Sequence, residues 1–104
     1  MSTDKARRKA AEALVVTYYE AELAGLLQHV AAAIEQYRAG ELDVHGVDDL
    51  IHRYKKATKE LWKFCWLHGG SHLERVAHLL ELRTAEGDRP DWWEAAAPRR
   101  RDEG

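Results

Sequence analysis

Proline is scarce in this chain, with two in 104 residues, and neither lies between Asp4 and Ala39. Nothing in that stretch forbids a continuous helix. Cysteine occurs once, at Cys65, which excludes an internal disulfide framework and fits a reducing compartment. The cytoplasm is therefore the expected location. No apolar run is long enough to cross a bilayer, so no membrane partner is expected. In MSTDKARRKAAEALVV basic residues precede an apolar patch, but the patch is short, and Glu12 and Glu20 break it. That is a poor signal peptide. Neither G-x-S-x-G nor G-x-x-x-x-G-K-[ST] occurs, which removes the serine nucleophile elbow and the phosphate-binding loop.

What is present suits one small folded domain. Apolar residues make up 45% and charged residues 33%, a balance found in neither disordered nor membrane-spanning chains. The net charge of −2 hides blocks of opposite sign. Residues 10–50 carry eight acids against Arg38 alone, whereas 51–63 carry five basic residues against Glu60 alone. Such blocks imply pairing between helices or one exposed basic face.

Hydrophobic spacing predicts an all-α fold. Val16, Tyr19, Leu23, Leu26, Val30, Ala33 and Tyr37 recur at alternating intervals of three and four, with Leu27 and Ile34 widening the stripe. This is an amphipathic helix over about 4–39 with a coiled-coil-like seam, and Gly40 is placed to end it. A second helix over 44–68 starts at Asp43, or nearer Val47 if Gly46 delays it. Its apolar face runs from Val47 through Leu50, Ile51, Tyr54, Ala57, Leu61 and Phe64 to Cys65. The short linker makes the two an antiparallel hairpin.

The stretch WKFCWLHGGSH, residues 62–72, reads first as a joint. Gly69-Gly70 ends the second helix, and Ser71 with Glu74 forms a capping box for a third over 72–86. That helix buries Leu73, Val76, Ala77 and Leu80, with Leu79 at the margin, and Gly87 closes it. Residues 1–87 thus form a three-helix bundle domain, and 88–104 an extension. In the extension, Asp91 and Glu94 can cap a short turn at 92–97 carrying Trp92 and Trp93, which Pro98 would stop. Two adjacent tryptophans cannot enter one groove together. The basic tail from Arg99 is expected to be disordered.

Three constellations carry chemical meaning. Cys65, His68 and His72 have zinc-like spacing, with His78 as a fourth group, yet the glycine turn separates them and Cys65 lies in an apolar stripe. His45, Asp49 and His52 share a helix face and include legitimate ligands for zinc or iron. A solvated polar face explains them more simply. Lys55, Lys59, Trp62 and Trp66, with Lys63 nearby, form a basic flank with aromatics that could contact phosphates and bases. A pI near 6.3 argues against a dedicated nucleic-acid binder. The tryptophans more simply widen the apolar arc of a central helix. A nucleophilic pair of Cys65 with His68 lacks a third group to orient the imidazole.

The expectation is a non-catalytic cytoplasmic interaction or regulatory module without a cofactor, working as a homodimer that assembles into a larger bundle. Its partner surface would be Lys55, Lys59, Trp62, Lys63, Trp66, Trp92 and Trp93. Its self-contact would lie on the first helix at Leu14, Val15, Val16, Tyr19 and Leu23, a stretch that outruns the shorter helices. Nucleic-acid binding through the Lys/Trp flank is the alternative, and metal binding through His, Asp and Cys side chains the second.

Overall fold

A computed structural model describes residues 2–66, 72–87 and 90–98. It is all-helical, with four helices in chain order: α1 (Ser2–Arg38), α2 (Val44–Trp66), α3 (His72–Glu86) and α4 (Trp92–Ala95). No strand occurs among the described residues.

The ends of these helices have local causes. Gly40 takes φ +78°, in the left-handed region where glycine is favoured. There the Glu41 N–H reaches back to the Gln36 carbonyl at 2.8 Å, and the Gly40 N–H to that of Tyr37 at 3.1 Å. These are the paired bonds of a Schellman stop. Only a few residues later Asp43 opens α2, its Oδ1 accepting the Gly46 N–H at 2.8 Å. The helix therefore includes Gly46 and does not wait for Val47. Gly87, at φ +76°, closes α3 as expected. The Gly69-Gly70 break, Ser71, the 67–68 end of the second helix and the tail from Arg99 lie outside the described residues.

α1 and α2 form the antiparallel hairpin, and α3 lies beside the N-terminal half of α1, where Ala11 and Leu14 face Ala77 and Leu80. The core gathers Ala11, Val15 and Leu26 from α1, Ala57, Leu61 and Cys65 from α2, and Val76, Ala77 and Leu80 from α3. Leu73 is half-buried against it, whereas Leu79 is exposed. Among described residues no polar or charged residue is buried, so this core holds by apolar area and fit.

The seam of α1 differs from the one expected. Its N-terminal half buries Ala11 and Val15, while Val16 is only half-covered. The cause is α3, which lies beside α1 and draws that contact line round toward its own flank. Val15 is thus a core residue of the single chain and cannot belong to a contact between copies. Within the stretch from Leu14 to Tyr19, Val15 is buried and Val16, Tyr18 and Tyr19 are half-buried, while Leu14 stays 37% exposed.

The molecule measures 59 × 35 × 25 Å, with a radius of gyration of 17.3 Å. A compact chain of this length would have about 13 Å. The difference is the length of the hairpin, which α3 and α4 do not wrap.

Candidate functional site

The two flanks of the hairpin have different fates, and the first is sealed by α4. Asp91 caps this single turn, its Oδ1 accepting the Glu94 N–H at 3.1 Å. Pro98 follows it. Arg53 of α2 donates from Nε and Nη2 to the Trp93 carbonyl at 3.0 and 2.8 Å. Its guanidinium carbon lies 4.2 Å from the centre of the Trp93 ring. The His29 ring of α1 stacks on the same indole, centroids 4.0 Å apart and planes within 3°. Trp93 is left 8% exposed.

Its neighbour takes a different direction. Trp92 Nε1 donates to the Tyr18 hydroxyl at 2.8 Å, and its ring tilts against Phe64 at 5.5 Å. Adjacent indoles therefore enter separate sites, one between His29 and Arg53 and one beside Tyr18 and Phe64. Residues 91–96 are part of the bundle's packing. Their tryptophans serve the chain's own fold and are not free to anchor a partner. Trp66 is also engaged, edge-on to Tyr19 at 5.8 Å.

The opposite flank has no such cover. Counting about 100° per residue from buried Leu26, the positions Leu23, Leu27, Val30 and Ile34 fall on the side of α1 away from Tyr18, Glu22 and His29. Counting the same way from Leu61, Ile51, Thr58 and Trp62 fall on the side of α2 away from Arg53 and Phe64. The helices are antiparallel and α4 touches one flank of each, so these seven positions share one face. Leu27 is 52% exposed, Ile34 37%, Trp62 47%, and Val44, at the hairpin end, 60%. Of the basic and aromatic side chains expected at a partner surface, Lys55, Lys59 and Trp62 stand in solvent. Lys63 is half-buried and reaches Glu60 at 3.4 Å.

Among the described residues the titratable side chains gather into no recognisable reactive centre. Cys65 is fully buried, and its thiol is pushed up from 9.0 to about 12 by loss of solvent and by the nearby Glu22 charge. At neutral pH it is protonated and inert as a nucleophile. His52 Nε2 lies 3.2 Å from Asp48 on the exposed side of α2, and His45, Asp49 and His52 do not close on a common point. Among described residues no three His, Cys, Asp or Glu side chains are placed to hold a metal ion. His68 and the side chain of His72 lie outside the described residues. An apolar groove of about 440 Å³ between α1 and α3 is lined by Leu14, Tyr18, Leu80 and Thr84, with Glu81 at its edge.

Sequence reasoning missed His29 and Arg53 as the residues that hold the C-terminal turn. A signal was present for one of them: Arg53 is the lone arginine of α2 among four lysines. A planar guanidinium can lie on an indole while binding a carbonyl, which an ammonium does poorly.

Fold and surface together define the class: an all-α helical bundle with one flank sealed and one open. No family model, curated protein or solved structure matches this chain. Among the described residues no helix is long and apolar enough to cross a membrane.

Proposed function

We propose that this protein is a small non-catalytic interaction module of the cytoplasm, acting through contact between helices and working as a homo-oligomer. One observation carries the reading: Leu27, Ile34, Val44 and Trp62 stand exposed along a hairpin whose other flank is covered. Contiguous apolar surface on a small protein is costly in water and is the usual mark of a contact site. The buried, protonated thiol of Cys65 supports a role without nucleophilic chemistry. A single buried cysteine also suits a reducing compartment.

The test places a photo-crosslinking amino acid at position 27 or 62 in the protein expressed in cells. Crosslinks from both positions to polypeptide, whether this chain or another, are the expected result. Absence of polypeptide crosslinks from both, with efficient labelling by water, overturns the reading.

A further inference from the structure

We propose that the open face of the hairpin is closed by the same face of a second copy, with α1 of each copy lying against α2 of the other. This rests on the interaction reading above and names its partner.

Charge supplies the first argument. Along residues 12–35, α1 carries four acids and no lysine or arginine, whereas residues 51–66 of α2 carry five basic residues and Glu60. At the edges of the open face, Glu20 borders the α1 side, and Lys55 and Lys59 border the α2 side; toward the hairpin end the signs reverse, with Arg38 on the α1 edge and Asp48 on the α2 edge, all exposed. Setting α1 against α1 would place acid on acid and lysine on lysine. A two-fold axis running along the hairpin sets α1 against α2 instead, and brings the Glu20 edge toward the lysine edge twice. The surface is thus self-complementary, as an isologous interface must be. Nucleic acid fits poorly, because the acidic edge would repel its phosphates.

Shape and area agree. α1 and α2 are matched in level, since Tyr19 meets Trp66 at one end and His29 and Arg53 share Trp93 further along. Rotation about the long axis therefore keeps apolar positions opposite apolar positions over the length of α2. Two helices side by side, roughly 20 Å wide and about 35 Å long, offer on the order of 700 Å² per copy. Stable dimers bury about 800 Å² per partner. A single added helix would fill one groove and leave part of this face wet. The pairing makes a four-helix core with α3 and α4 on its two outer sides.

Light scattering on the eluted full chain at micromolar concentration is expected to show twice the 11.9 kDa chain mass. Leu27→Glu with Ile34→Glu is expected to return it to one chain mass with the helical circular dichroism kept. Glu20→Lys should weaken association about tenfold, because symmetry loses each exposed pair twice. Mixing it with a Lys55→Glu/Lys59→Glu chain should restore the dimer. A readout independent of folding changes uses separate Leu27→Cys and Thr58→Cys chains, mixed and oxidised. The mixed disulfide supports the arrangement, and a Leu27→Cys disulfide with itself overturns it in favour of α1 on α1. A chain that stays at one mass overturns self-pairing altogether. If position 27 then still crosslinks to a different polypeptide, the interaction reading survives without its homo-oligomer part; if it crosslinks to none, both fall.

Discussion

The two flanks of the α1–α2 hairpin are both apolar at their centre, yet only one carries polar groups that bind at distance and angle. On the sealed flank, Arg53, His29 and the Tyr18 hydroxyl hold Trp93 and Trp92 in defined orientations. On the open flank, Leu27, Ile34 and Trp62 stand exposed, without any comparable polar partner among the described residues. Directional groups select one short segment of the same polypeptide, and apolar area alone asks only to be covered. The first flank is therefore a folding surface, and the second is the one we propose for contact.

Substitutions can break or sharpen this division, beginning with the residue that serves both flanks. Leu61, fully buried in the core, should cost about 3–4 kcal/mol when changed to alanine. Urea unfolding followed by circular dichroism measures it. Trp93→Ala removes the centre of the sealed flank and should cost about 3 kcal/mol. The same change should speed amide exchange around Ala95 and Ala96, whose N–H groups bond within the turn. A loss below about 0.5 kcal/mol would mean that α4 adds little to the fold.

The next test is set by pH. The folded Cys65 thiol holds its proton to about 12, while the unfolded thiol releases it near 9.0. Between those values the folded state binds more protons, so stability falls as pH rises, by at most about 1.4 kcal/mol per unit. Below pH 9 the contribution is intact. Alkaline unfolding of Cys65→Ala, compared with the parent chain, should lack this component.

Smaller effects belong to the surface. A Cβ at Gly25 would meet no atom within 4 Å, and its backbone is ordinary helix. Gly25→Ala should therefore raise stability by about 0.5–1 kcal/mol, read as a higher melting temperature. The smallest change is expected on the open flank. Leu27→Glu should alter the stability of the single chain by no more than about 0.5 kcal/mol, measured at dilution low enough to keep copies apart. A large loss there would show that this flank also serves the fold of one copy.

Much of the architecture was legible because its causes are local. Gly40, Asp43, Gly87 and Asp91 stop or start helices through bonds spanning a few residues, and each does so where the sequence placed it. The apolar stripe of α1 was legible as a stripe. Its buried edge was misjudged, because seven apolar positions at helical spacing fit more than one contact line. The uncovered surface was expected near Leu14 to Tyr19; there Leu14 is exposed but Val15 is buried against the other helices, and a longer exposed apolar stretch runs along Leu27 to Tyr37.

The sequence alone determined that the chain is helical, where its helices turn, and that α1 and α2 run antiparallel. Periodicity, caps and a short linker act over less than one turn to a few turns, within reach of local physics. Only the tertiary structure decided which flank is sealed and where the tryptophans go. The bonds that settle it join residues 40 and 74 positions apart. No local pattern encodes which of several suitable surfaces a distant segment will meet, because that choice depends on the packing of all of them at once.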